Sequence, residues 1–286
     1  MPSLTVTIIQ SNLIWENKKA NLDVLAQKIE SIQEKTEVVI LPEMFSTGFS
    51  MKPELLAETM SGETINWMKK IAFSKKVILT GSVIIKGPPT NAQDKVAPSP
   101  SERAGGEAYF NRLIWMLPNG EYGVYDKRHL FAYADEHKHY SAGNKRLIAQ
   151  VKGWKINLQV CYDLRFPVWA RQSPPPPGEE GRGLEYDLLI YVANWPERRS
   201  TAWKTLLQAR AIENQCYVVG VNRVGDDGNN IYYSGDSMII DPLGEILYHK
   251  ENDEDVFTYI LQKEKLNEVR QKFPFWRDAD TFNISE

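Results

Sequence analysis

The chain has few of the residues that staple small proteins or bind metals: two cysteines, Cys161 and Cys216, and four histidines among 286 residues. One disulfide would add little to a chain of this size, so two reduced thiols in a cytoplasmic protein are expected. No run approaches the ~20 apolar residues needed to span a bilayer, and no membrane association is expected. Leu4 to Ile9 is a short alternating run without a charged leader or a long apolar stretch, which predicts no signal peptide. Lys and Arg are scattered, the formal net charge is −3, and there is no basic stripe, which argues against nucleic acid as a partner. No G-x-S-x-G elbow, P-loop or G-x-G-x-x-G occurs. His137 and His139 form an H-x-H in a charged loop, a weak pattern for a metal-dependent hydrolase. The segment Asp226-Asp227-Gly228-Asn229-Asn230 has turn chemistry but lacks the bidentate glutamate of a calcium loop.

What is present is ordinary globular composition, 42% hydrophobic and 25% charged, enough for a packed core. Strand-like runs are predicted at 4–10, 38–41, 77–85, 109–117, 122–125, 147–151, 154–160, 188–192, 216–222, 232–240, 246–248 and 256–261. Helical patterns are predicted at 17–34, 63–74, 201–214 and 263–271. Pro118-Asn119-Gly120 is a hairpin signal. Many strands with interspersed helices and no break in composition predict one α/β domain over 1–286, built of two sheets with helices outside. Segments at about 87–106 and 173–183, the second with four consecutive prolines, read as exposed loop insertions.

The chemistry stands at the ends of the apolar runs. Val38 to Leu41 ends in Pro42-Glu43, the run to Tyr125 in Asp126-Lys127, the run to Val160 in Cys161-Tyr162-Asp163, and the run to Val192 in Ala193-Asn194-Trp195. α/β sheets gather ligands beyond the carboxyl ends of their strands, so a carboxylate, an amine and a thiol far apart in sequence can converge there. Each has a plainer reading. Cys161 could be a buried structural thiol, although it shares the polar side of its strand with Lys155, Asn157 and Gln159. Glu43 could be an ordinary surface residue, or a buried carboxylate that must be paired or protonated. Lys127 could be a solvated hairpin edge. As strand-end residues, Glu43 and Lys127 are expected to matter less to stability than Leu158 or Ile190, so that a variant at either should still fold.

Leu41-Pro42-Glu43-Met44-Phe45, Asp126-Lys127-Arg128-His129-Leu130-Phe131 and Val160-Cys161-Tyr162-Asp163-Leu164-Arg165-Phe166-Pro167 resemble, in order and spacing, the three signature segments of the nitrilase superfamily. The likeness extends through 191–196 and 209–215 to 272–280, and is greatest with the ω-amidases, the bacterial ones in particular. The resemblance implies an α-β-β-α sandwich, usually dimerised. It implies Glu43 as general base, Lys127 as the cation beside the intermediate, Cys161 as nucleophile, and Glu136 as a second glutamate. The implied reaction is hydrolysis of the terminal amide of a 2-oxo acid amide through a thioester, with the Tyr162 backbone N–H as a second oxyanion donor and with no metal or organic cofactor. Phe49, Tyr133, Asn194 and Trp195 are candidate pocket residues. Arg165 either meets a substrate carboxylate or pairs with Asp163 or Glu213 to hold the catalytic loop. Other readings are a nitrilase or N-carbamoyl amidase, a metal-dependent hydrolase, and a binding module that has lost catalysis.

Overall fold

The structure is a computed structural model that describes residues 2–87, 108–174, 184–282 and 284. Apart from Gly87, Ser173 and Pro174, the two expected insertions lie outside the described residues.

One sheet contains β1 (Leu4–Gln10), β2 (Val38–Ile40), β3 (Ile78–Lys86), β4 (Tyr109–Met116), β5 (Tyr122–Asp126) and β13 (Asp255–Leu261), in the order β13-β1-β2-β3-β4-β5. The other contains β6 (Leu147–Val151), β7 (Trp154–Val160), β8 (Leu188–Ala193), β9 (Tyr217–Asn222), β10 (Val224–Asp226) and β11 (Tyr232–Ile240), in the order β10-β11-β9-β8-β7-β6; β12 (Ile246–Glu251) also pairs with β11. Both sheets are mixed: β1, β2 and β3 run parallel, as do β7, β8 and β9, with antiparallel strands at the flanks. The β4–β5 hairpin reverses direction twice after β3, so β5 again points the same way as β2. The segments after β2 and β5 therefore emerge at one edge.

Alternate residues divide the core. Val6, Ile8, Val38 and Ile40 from the first sheet join Ile156, Leu158, Val160 and Ile190 from the second in one buried cluster between the sheets. On the outer side of the first sheet, Ile9, Val39, Leu41 and Leu79 pack with Leu22, Leu25 and Ile29 of α1 (Lys18–Glu30) and Ile65 and Met68 of α3 (Glu63–Lys75). Trp203, Leu207 and Ala211 of α6 (Ser200–Asn214) are buried against the second sheet. Helices thus flank two stacked sheets. Truncating Leu158 or Ile190, neither of which has any exposure, would cost about 2–5 kcal/mol.

Helix α1 is shorter than its periodicity predicted. Asn17 caps it, accepting the N–H of Ala20, and the Ser31 hydroxyl turns back onto the Lys28 carbonyl to end it. Several short helical elements carried no pattern long enough to read, among them α2 (Pro53–Leu56), α4 (Glu136–His139), α5 (Pro167–Ala170) and a 3₁₀ turn over Cys161–Arg165. Helix α7 (Lys263–Lys272) closes the set. The polar side of β7 is not a solvated face: Asn157 and Gln159 are fully buried, and Gln159 Nε2 donates to the Trp169 carbonyl.

Candidate active site

Glu43, two residues beyond Leu41, has no solvent exposure and is held by three donors. Its Oε1 accepts from Asn111 Nδ2 at 2.7 Å and from Lys127 Nζ at 2.9 Å; its Oε2 accepts the backbone N–H of Asn194 at 2.8 Å. Lys127 follows β5 and is also fully buried, with Nζ 2.9 and 3.1 Å from the two oxygens of Glu136. Glu136 opens α4, and its carboxylate also accepts the backbone N–H of Phe131. One cation thus serves two buried carboxylates. Burial works against the charge on Lys127, but Glu136 and Glu43 outweigh it and hold its pKa above the ordinary lysine value. Burial, reinforced by the charge of Glu43, pushes Glu136 above the usual carboxylate range despite Lys127.

Asn111 was not singled out from the sequence. It lies within β4, fully buried, and its side-chain amide bridges Glu43 and Glu136. The available signal was Asn111-Arg112 interrupting an otherwise apolar strand. Arg112 forms a buried ion pair with Asp126 at 2.6 Å, which fixes the strand end from which Lys127 projects.

Cys161 has a positive φ of 46° at the junction of β7 and the 3₁₀ turn, a conformation that costs a non-glycine residue about 1–2 kcal/mol. Asp163 secures it. This buried carboxylate accepts the N–H of Val160 at 3.0 Å, the Tyr125 hydroxyl at 2.8 Å and the backbone N–H of His129 at 2.9 Å, and lies 2.8 Å from His129 Nδ1. The Cys161 Sγ donates to the Asn194 carbonyl at 3.9 Å; burial pushes the thiol well above its ordinary pKa, and the charge of Glu43 adds to the effect against the pull of Lys127. The resting group is a neutral thiol beside a carboxylate.

A cavity of about 490 Å³ opens onto Cys161. Its wall includes Phe49, Tyr133, Tyr162, Arg165, Asn194 and Trp195, all of which the sequence nominated. Glu43, Lys127 and Glu136 do not line it; Cys161 is where the buried charges meet the open volume. Tyr133, 79% exposed, stands at the rim rather than in a core. Arg165 pairs with neither Asp163 nor Glu213. Its guanidinium lies over Trp195 at 5.0 Å, and the loop is held instead by Arg210, which binds Glu213 and donates to the Leu164 carbonyl. Arg198 and Arg199, also in the wall, were not foreseen: Glu-Arg-Arg reads as an ordinary solvated charge run.

His137 and His139 are not part of any ligand set among the described residues. Among the described residues, the group of three side chains close enough to hold a metal is Asp236, His249 and Glu251, on β11 and β12, and Lys204 already pairs with that aspartate at 3.1 Å. No helix among the described residues is long and apolar enough to cross a membrane.

Known proteins resemble the chain in sequence and in fold. Omega-amidase YafV of Escherichia coli K12 is 42% identical over 99% of this chain and 100% of its own length. The 2-oxoglutaramate amidase of Bacillus subtilis is 30% identical over 96% of each. The crystal structure of XC1258 from Xanthomonas campestris, a CN-hydrolase superfamily protein with an arsenic adduct in its active site, superposes over 100% of both chains with a TM-score of 0.89 and 40% identity. The model of the carbon–nitrogen hydrolase family matches residues 5–271, and the chain belongs to that family.

Proposed function

We propose that the protein is an ω-amidase that hydrolyses the terminal amide of 2-oxo acid amides, such as 2-oxoglutaramate and 2-oxosuccinamate, to the 2-oxo acid and ammonia. The observation that carries the chemistry is the meeting of Cys161, at the cavity wall, with the buried Glu43–Lys127–Glu136 cluster. The two amidases at 42% and 30% identity support the substrate class.

Because the thiol rests protonated, a base must act as attack occurs. Glu43 takes the Sγ proton while sulfur adds to the amide carbon. Negative charge forming on the carbonyl oxygen is met by Lys127 and the Tyr162 backbone N–H. Collapse of the intermediate breaks the C–N bond, and the proton held by Glu43 leaves with ammonia. Water then adds to the thioester, giving its proton to Glu43, and the acid departs as the thiol is restored. Glu136 holds Lys127 in place throughout.

The same residues would serve another amidase, a nitrilase or an N-carbamoyl amidase, so a substrate panel decides the subclass. Ammonia release from 2-oxoglutaramate is expected to exceed that from a nitrile or an N-carbamoyl amino acid. Brisk turnover of either alternative, with none of the ω-amides, removes the assignment.

We take 1–286 as one carbon–nitrogen hydrolase domain, a reading supported by the family match over 5–271. Cytoplasmic placement is supported by two free buried cysteines. A homodimer is supported by the exposed Ile212 of α6 beside the turn at Leu243, also exposed. Light scattering tests it: a mass near twice 32.8 kDa is expected, and a monomer at micromolar concentration rejects it.

A further inference from the structure

Three guanidinium groups in the Cys161 cavity have no acidic partner among the described residues. Arg165 lies over the Trp195 ring at 5.0 Å and Arg199 over the Phe131 ring at 5.1 Å. Arg198, next to Arg199, is exposed and makes no hydrogen bond or ion pair among the described residues. The two acids of the same wall are already engaged. Glu16 pairs with Lys52 at 3.0 Å, and Asp227 accepts the Tyr233 hydroxyl and the backbone N–H groups of Asn229 and Ile231.

This arrangement is costly as it stands. Burial and the neighbouring charges of Arg198 and Arg165 depress the pKa of Arg199 below the ordinary arginine value. A guanidinium stacked by its face on an aromatic ring keeps its in-plane N–H donors free, in the fork that matches a carboxylate. The two cation–ring pairs are also tied together, because the Trp195 indole N–H donates to the Arg199 carbonyl at 2.8 Å.

We propose that Arg199, flanked by Arg165 and Arg198, anchors the free carboxylate of the substrate, so that the cavity selects anionic acyl amides over neutral ones. This deepens the ω-amidase reading and rests on it for the identity of the acyl group. The anchor itself rests only on the cavity wall. A neutral amide leaves three cations unmatched, whereas one carboxylate offset from Cys161 satisfies the fork of Arg199 and relieves the repulsion around it.

The test uses 2-oxovalerate, a five-carbon 2-oxo acid that keeps the carboxylate and lacks the amide, as a protectant of Cys161 against iodoacetamide. Its methyl ester is the neutral control. In the wild type, 2-oxovalerate is expected to slow alkylation and the ester to do so far less. Arg199→Gln and Arg198→Gln should each raise the half-protecting concentration of the acid about tenfold or more, the loss of a charged hydrogen bond, and Arg199→Lys should fall between. With 2-oxoglutaramate as substrate, the same variants should raise KM by a similar factor and move kcat little. The exposed Arg198 keeps the test open if Arg199→Gln fails to fold. Equal protection of the wild type and both Gln variants, or no protection of the wild type, overturns the anchor. Arg-dependent protection without hydrolysis of 2-oxoglutaramate keeps the anchor and rejects the ω-amidase. Hydrolysis with unaltered KM in the variants does the reverse.

Discussion

The backbone N–H of Asn194 donates to Oε2 of Glu43 at 2.8 Å, and the Asn194 side-chain amide donates back to the Glu43 carbonyl. Glu43 follows β2 in one sheet and Asn194 follows β8 in the other, so this pair locks the two sheets together at the edge where Cys161 sits. It also turns one carboxylate oxygen toward the second sheet and leaves the other on Lys127.

Asn194→Ala removes the side-chain half of this clamp and leaves the Glu43 carbonyl buried without that donor. A loss of about 1–3 kcal/mol in stability is expected, together with a lower kcat, because the base is then less firmly aimed. Chemical denaturation and initial rates check both. Unchanged kcat in a variant that has lost stability would separate the clamp from catalysis.

Removing Lys127 leaves Glu43 and Glu136 facing each other without a cation, in a place where neither has any solvent exposure. Breaking such a buried pair by deleting one partner costs about 3–5 kcal/mol. Lys127→Met is therefore expected to be strongly destabilised as well as inactive. Lys127→Met combined with Glu136→Gln should regain part of the stability and none of the activity. A melting curve of Lys127→Met that matches the wild type would contradict this. The position of Lys127 just past a strand suggested a modest effect on the fold; burial reverses that expectation.

The protonation of Glu136 gives a pH dependence with a definite sign. Its folded pKa is raised, so the folded state holds the proton more tightly than the unfolded chain. Its contribution to stability is fully present below the ordinary value of 4.5 and is lost as pH rises through the raised folded value. Glu136→Gln cannot lose that proton. The Tm of the variant, relative to the wild type at the same pH, is expected to climb from pH 4.5 upward. A difference that stays constant across that window, or moves the other way, contradicts the raised pKa.

Both thiols rest protonated, since burial raises Cys161 and Cys216 alike. They differ in access and in the base beside them: Cys161 reaches the cavity with Glu43 at hand, whereas Cys216 is fully enclosed. Iodoacetamide is expected to add once to the native protein, at Cys161. Glu43→Gln should slow that addition by about 10²-fold or more, since a general base supplies roughly that factor. Equal labelling of the two cysteines would remove the distinction.

Much of this was legible in the sequence because long apolar runs bounded by turn residues leave little choice. Strand 154–160 and strand 232–240 fell at their observed limits. Glu43, Lys127 and Cys161 could be found at the ends of such runs, and the resemblance supplied Glu136. What stayed hidden depends on three-dimensional contact. Asn111 matters because β4 lies beside β5 and carries its amide between two carboxylates, which no local pattern records. Arg199 looks like a surface charge until Phe131, 68 positions earlier, is seen beneath it. Arg165 does not take the pairing expected of it because α6 packs its Arg210 under the turn over Cys161–Arg165, where it binds Glu213 and the Leu164 carbonyl.

Covalent catalysis by Cys161 is tested most directly by mixing the protein with 2-oxoglutaramate, quenching in acid within milliseconds, and measuring intact mass alongside ammonia. The expected result is an adduct of one 2-oxoglutaryl group on Cys161 that forms together with one equivalent of ammonia and decays to 2-oxoglutarate once the substrate is spent, with neither adduct nor ammonia from Cys161→Ala. Ammonia release at an undiminished rate from Cys161→Ala would contradict it.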